Sequence, residues 1–263
     1  MSTDDLFSGP AAYERFMGRW SRELARLLVR FADIRDGDML LDVGAGTGSV
    51  AAVVTSTSTA RSVGLDPAAA YAAFAQSRHD HTRTQFIVGD GQRMPFRNRA
   101  FDRTLSLLSI NFVPDPQKTA TEMMRVTRHG GIVAAAVWDY GDGMEMLRRF
   151  WDTVVGLHPK DAEKDERHMR LCRSGELAAL WRNHHLQDVT EDALTITTEF
   201  ASFDDYWNPF LEKQGPAGQY VATLPELDRD ALRRALRHRL IGDGPDHAFA
   251  LTARAWAARA VIA

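Results

Sequence analysis

Apolar residues recur along this chain with helical spacing in some stretches and as short unbroken runs in others. Over residues 13–31 (YERFMGRWSRELARLLVRF), Leu24, Leu27, Leu28 and Phe31 lie one helical turn apart, which predicts an amphipathic helix. A turn at Asp36-Gly37-Asp38 follows, and Met39–Val43 is an apolar run that predicts a buried strand ending in glycines. A short helix is expected over 49–55. The alternation then repeats. Strands are predicted at Ser62–Leu65, Gln85–Gly89, Phe101–Leu107 and Ile132–Trp138, and helices at Ala68–Arg78 and Pro116–Arg128, each with a proline at or beside its start. Gly130-Gly131 closes the second of these helices. Such alternation implies βαβ units and a doubly wound, mostly parallel sheet with helices on both faces.

The pattern changes after Trp138. Residues 144–157 and 174–184 read as helices. Leu194, Ile196, Thr198 and Phe200 alternate with other residues, as in a strand with one wetter face. Residues 203–240 read as helical, with breaks at Gly215-Pro216 and Pro225. The tail 248–262 has period-two character and is read as a last strand, although its alanines also suit a helix.

Composition narrows the class. With 263 residues, 44% hydrophobic and 25% charged, the chain can bury a core without disulfide or metal support. Its one cysteine, Cys172, permits no intrachain disulfide and reads as a small buried hydrophobe. No apolar run reaches the ~18 residues of a membrane span, and the polar start MSTDDLFSGP is unlike a secretory signal. A cytoplasmic address is expected. Net charge is −3, and the arginine clusters at Arg93–Arg99 and Arg229–Arg239 read as solvated helix faces, so no nucleic-acid partner is expected.

The sharpest motif is LDVGAGTGSV, residues 41–50, between a predicted strand and a predicted helix. Gly44, Gly46 and Gly48 let the backbone turn tightly and approach a ligand closely. The dinucleotide pattern G-x-G-x-x-G would need a small third residue at 49, where Ser49 stands. Asp42, two residues before the first glycine, repels a pyrophosphate and attracts an ammonium. Asp66 ends the next strand, where an acid can accept the hydroxyls of a ribose, and Asp90 with Gly91 ends the third. In an open α/β sheet, ligands bind at this edge of strand ends.

On these residues the chain resembles the class I S-adenosylmethionine-dependent methyltransferases, and among them the small-molecule group of ubiquinone- and menaquinone-biosynthesis enzymes. The likeness covers roughly residues 13–139. It implies a Rossmann-like sheet of seven strands with a C-terminal helical insertion at about 201–247. It also implies a single domain over 1–263, with a cofactor half (13–139) and an acceptor half (140–263). It further implies S-adenosyl-L-methionine as cofactor, with Asp42, Gly44, Ala45 and Gly46 around its methionine part. By the same likeness Asp66 is expected at the ribose, Asp90 and Gly91 at the adenine, the backbone near Leu107 at the ammonium, and Arg19 at the carboxylate. Where the family often carries a histidine after the fourth strand, this chain has Asn111.

Absent motifs narrow the acceptor. The stretch Asn111-Phe112-Val113-Pro114 lacks the N/D-P-P-Y/F of adenine and glutamine methylases, and Cys172 does not follow a proline as in cytosine methylases. A small-molecule acceptor, aromatic or apolar, is expected. Displacement at a sulfonium can rest largely on alignment, so a base is needed only where the acceptor must lose a proton. Asp139, Tyr140, His158, Tyr206 and the pair His184-His185 are candidates, and none is singled out as catalytic. Phe203, Tyr206, Trp207 and Phe210 form a stripe that either packs on the core or walls an acceptor lid. Two other readings stay open: a non-catalytic S-adenosylmethionine-binding module, and a nucleotide-dependent oxidoreductase on a similar sheet.

Overall fold

The computed structural model describes residues 9–263; the first eight residues, and with them most of the polar start, lie outside the described part. Seven strands of the described residues form one sheet in the order β3-β2-β1-β4-β5-β7-β6. They are β1 (Met39–Val43), β2 (Arg61–Asp66), β3 (Thr84–Val88), β4 (Phe101–Leu107), β5 (Thr127–Trp138), β6 (Gln187–Phe200) and β7 (Phe249–Val261). Strands β1 to β5 pair in parallel, and β7 runs antiparallel between β5 and β6. Strand order reverses between β1 and β4, which opens a crevice at their carboxyl ends.

The sheet is mostly parallel because helices alternate with the first five strands: α3 (Ser49–Thr57), α4 (Ala69–Arg78) and α5 (Pro116–Val126). The predicted helix over 13–31 forms as α1 (Pro10–Tyr13), a π turn (Glu14–Gly18) and α2 (Arg19–Phe31). Leu24 and Leu28 on α2 are fully buried, as their spacing requires.

The alanine-rich tail is a strand for a tertiary reason. Ala255–Ala258 pair with Ala135–Trp138 of β5 on one side and with Glu191–Leu194 of β6 on the other. Backbone pairing on both sides outweighs alanine's helical preference. Small side chains there also let Trp181 of α7 (Glu176–Asn183) approach and donate its indole N–H to the Ala258 carbonyl at 3.2 Å.

Between β6 and β7 lie α8 (Phe203–Trp207), a short turn (Asn208–Glu212), α9 (Gly215–Thr223) and α10 (Glu226–Ile241). The stripe Phe203, Tyr206, Trp207, Phe210 packs in the core: all four side chains are buried. Phe210 stacks on Phe150 of α6 (Glu145–Leu157) at 4.7 Å, and the Tyr206 hydroxyl donates to the Met146 carbonyl at 2.9 Å. Three of the rings lie on α8 and Phe210 in the turn after it, and the stripe is covered from two sides, by α6 and by the end of β6.

Candidate active site

At the end of β1 the chain enters the left-handed region three times in five residues, with φ of 75° at Gly44, 54° at Gly46 and 88° at Gly48. Side chains would strain this path. A Cβ on Gly44 would also collide with Ser109, whereas one on Gly46 would meet open space. The loop's backbone is held from β2. The N–H groups of Gly44 and Ala45 both donate to the Leu65 carbonyl, at 2.7 and 3.1 Å. Asp66 then takes the Gly46 N–H on one carboxylate oxygen at 2.8 Å and the Ala68 N–H on the other at 2.9 Å.

The loop borders a depression of about 280 Å³ whose walls include Asp42, Gly44, Ala45, Gly46 and Leu107, with Tyr13 above. Asp42 is 2% exposed and neither of its carboxylate oxygens has a hydrogen-bond partner. Burial, with Asp66 nearby, pushes its carboxyl up to about 7. An unpartnered buried carboxylate is costly, and it is what a ligand's ammonium would satisfy. The open space at Gly46 and this unpaired acid together fit the amino-acid part of S-adenosylmethionine.

The π turn covers the loop. Glu14 accepts a hydrogen bond from the Thr47 hydroxyl at 2.6 Å and pairs with Arg22 at 2.5 Å. Gly18 makes room for it, since a Cβ there would meet the Glu14 carboxylate. Helices widen to π geometry most often at functional sites.

Arg19 has a partner of its own in this structure. Its guanidinium binds both oxygens of Asp205 at 3.0 Å and lies over the Trp20 and Phe200 rings, and it does not line the depression. Rotation along α2 turns it toward the α8 helix. Arg15 likewise pairs with Glu212 at 2.6 Å, so two ion pairs tie the cover to the segment after β6. Asp90 stands in the turn two residues past β3, exposed, accepting from the Gln92 N–H at 2.8 Å. Gly91 is buried beneath it against Val43.

Beyond Leu107 the backbone turns at Leu108, a buried leucine at φ 59° whose N–H donates to the Ala136 carbonyl at 2.8 Å. Such a conformation costs about 1–3 kcal/mol in a non-glycine residue and persists only where the surroundings enforce it. Leu107 lines the first depression and Leu108 a second one of about 370 Å³, counting its open mouth. Tyr13 lines both. The other walls of the second include Phe16, Phe112, Trp138, Tyr140 and Glu166, and Gly215-Pro216 closes one end.

Of the suggested proton acceptors, Tyr140 lies in this depression, and burial holds its hydroxyl well above the usual tyrosine range. Asp139 is bound by Arg254 at 2.5 and 2.9 Å, and Tyr206 is in the core. His158, His184 and His185 line neither depression. Asn111 is buried and its carbonyl accepts from Arg170, which also holds Pro114.

Two residues escaped the sequence. Tyr13 belongs to the segment read as a lead-in helix, but only the π turn aims it at both depressions. Glu166 sits in KDAEKDERH, a run that looks like a solvated face, yet it is 5% exposed. The Trp151 indole N–H donates to it at 2.7 Å, and burial pushes its carboxyl up to about 7.

Comparison with known proteins agrees with this geometry. Residues 41–135 match the Methyltransf_11 family, described as a methyltransferase domain. The uncharacterized protein Rv1403c of Mycobacterium tuberculosis is 32% identical over 202 residues, 74% of this chain and 70% of that protein. The chloroplastic 2-methyl-6-phytyl-1,4-hydroquinone methyltransferase of Arabidopsis thaliana is 31% identical over 148 residues, 56% of this chain and 43% of that one. In fold, the chain is similar to the Haemonchus contortus phosphoethanolamine N-methyltransferase 2 solved with S-adenosyl-L-methionine. The TM-score is 0.59 at 20% identity, over 97% of this chain and 56% of that one. It is also similar to the YcgJ protein of Bacillus subtilis, with a TM-score of 0.57 at 16% identity over 91% and 98%.

Proposed function

This chain belongs to the class I S-adenosylmethionine-dependent methyltransferases, and on that premise we propose that it methylates a small, largely apolar molecule seated in the depression lined by Tyr13, Phe16, Phe112 and Trp138. The cofactor supplies an electrophilic methyl group on a sulfonium. The observation that carries the proposal is the adjacency of the two depressions, which share Tyr13 and are divided at Leu107-Leu108.

The chain's own residues take the following parts. Asp42 receives the ammonium, with the backbone at Gly44, Ala45, Gly46 and Leu107 lining the same pocket. Asp66, fixed by the Gly46 and Ala68 N–H groups, is placed for the ribose. Asp90 and Gly91 are placed for the adenine end by the resemblance of the motif. Arg19 is left out, because Asp205 holds it. The rings of the second depression exclude water and fix the acceptor, and alignment of this kind accounts for much of the barrier reduction in a displacement. The likeness to a hydroquinone methyltransferase supports a ring-bearing acceptor.

The test is direct. Purified protein is incubated with isotopically labelled S-adenosylmethionine and a panel of small aromatic and apolar acceptors. S-adenosylhomocysteine release and labelled product are measured. Release that depends on an acceptor supports the proposal. Tight cofactor binding with no transfer to any small acceptor, and transfer to a protein or nucleic acid instead, overturns it.

A further inference from the structure

Glu166 has no assigned work, and its setting in the aromatic depression is specific. It is the one charged side chain among the residues lining that space. It is 5% exposed, and the Trp151 indole N–H holds one of its oxygens at 2.7 Å. The nearby cations are taken by its neighbour: Arg148 binds Asp165 at 2.5 and 3.3 Å, and Arg167 binds Asp165 at 2.6 Å. Among the described residues Glu166 itself has no ion pair. A buried carboxyl with an oriented oxygen, no counter-ion and an open side toward a cavity is the arrangement of a proton acceptor.

We propose that Glu166 takes the hydroxyl proton of an uncharged hydroxy-aromatic acceptor as the methyl group is transferred to the acceptor's oxygen, an inference that rests on the methyltransferase reading above. The cavity selects this class. Flat rings at Tyr13, Phe16, Trp138 and Tyr140 suit a ring. No lysine or arginine lines the space, so a carboxylate or phosphate on the acceptor would be desolvated without a partner. Tyr140, Tyr13, Arg148 and Asp165 are the titratable groups facing or flanking Glu166. Burial raises the Glu166 carboxyl to about 7, in the range of a group that exchanges a proton near neutral pH.

The step balances. The acceptor O–H bond breaks and its proton passes to the Glu166 carboxylate. The freed oxygen pair forms the O–CH3 bond, while the pair of the S–CH3 bond stays on sulfur, which leaves as a neutral thioether. Glu166 returns the proton to solvent once the ether departs.

The probe is 4-nitrophenol, whose anion is coloured. It is titrated at about pH 8 into protein saturated with S-adenosylhomocysteine, by calorimetry in buffers of differing ionisation enthalpy. The carboxylate and the phenolate cannot share the cavity uncharged-for, so the wild type takes up about one proton per probe bound. Glu166→Gln keeps the shape and a carbonyl for Trp151. It removes the carboxylate, and the rate of transfer to phenol loses the rise through about pH 7 that Glu166 gives the wild type. Methyl transfer to unsubstituted phenol falls roughly 100-fold or more in this variant, while S-adenosylhomocysteine affinity is unchanged. Should Glu166→Gln fail to fold, the pH profile of the wild type decides: a transfer rate that does not rise through about pH 7 overturns the inference. Wild-type binding without proton uptake, identical behaviour of the variant, or no binding of 4-nitrophenol by protein that does bind S-adenosylhomocysteine overturns this inference and leaves the methyltransferase reading standing. Failure of S-adenosylhomocysteine itself to bind overturns that reading.

Discussion

The two depressions share one side chain, Tyr13, and are built in opposite ways. The first is made of consecutive backbone. Most of its wall comes from residues 42–50, whose shape follows from three left-handed glycines and a few hydrogen bonds to β2. The second is made of side chains from distant segments: Phe16 before β1, Phe112 after β4, Trp138 and Tyr140 at and just past the end of β5, Glu166 in a short turn, and Gly215-Pro216 at the start of α9. A common ligand part can be met by backbone, which carries the same groups at every residue. An acceptor that differs between enzymes is met by side chains, which can change without disturbing the loop. The contrast teaches that recognition of the cofactor and choice of acceptor are separable here, although the two sites touch.

The largest test of this contrast concerns the stripe that turned out to be core. Tyr206→Ala deletes a fully buried ring and leaves the Met146 carbonyl without its donor. It should cost about 3–5 kcal/mol of stability in denaturant unfolding, with cofactor affinity per folded molecule unchanged. A stable variant with impaired transfer would return the stripe to the acceptor site.

Next in size is Asp66→Ala. Removing the acceptor of the Gly46 and Ala68 N–H groups loosens the backbone-built site alone. S-adenosylhomocysteine affinity, measured by calorimetry, should fall by about 2–3 kcal/mol, roughly 30- to 150-fold. An affinity within threefold of wild type would show that the loop is held without this carboxylate.

A third test uses pH. The Asp42 carboxyl is raised in the folded protein to about 7. Its contribution to stability is therefore complete below the unfolded carboxylate range, near pH 4, and is lost as pH rises through about 7. The ligand-free protein should lose stability over that window. S-adenosylhomocysteine, whose ammonium favours the ionised acid, should bind roughly tenfold more tightly per pH unit as pH approaches 7 from below. Asp42→Asn should flatten both profiles. A pH-independent affinity in the wild type would separate Asp42 from the ammonium.

The smallest effect is expected at Arg19. Its pair with Asp205 is about a third exposed, so Arg19→Ala should lower stability by less than about 1 kcal/mol. Cofactor affinity should change less than twofold, and Asp205→Ala should cost more than Arg19→Ala, because Asp205 also accepts the Ala201 N–H at 3.0 Å. A tenfold loss of cofactor affinity would put Arg19 back at the carboxylate.

The sequence by itself determined the alternating half of the sheet, β1 to β5, because short apolar strands between amphipathic helices admit few other arrangements. It also determined the glycine loop and the order of its acids, because those constraints act between near neighbours in the chain. It read the alanine-rich tail as a strand on period-two spacing alone, against the helix propensity of alanine, and pairing with β5 and β6 is what decides between the two. The resemblance suggested Arg19 for the ligand carboxylate, and its pairing with Asp205, 186 residues away in the chain, is visible only once the two segments have packed. The sequence hid Glu166 in a charged run, since which members of such a run are buried, here Asp165 and Glu166, depends on what packs above them. Local backbone shape is encoded locally and can be read there. A cavity walled by six separated segments exists only after they have packed, and only the tertiary structure decided it.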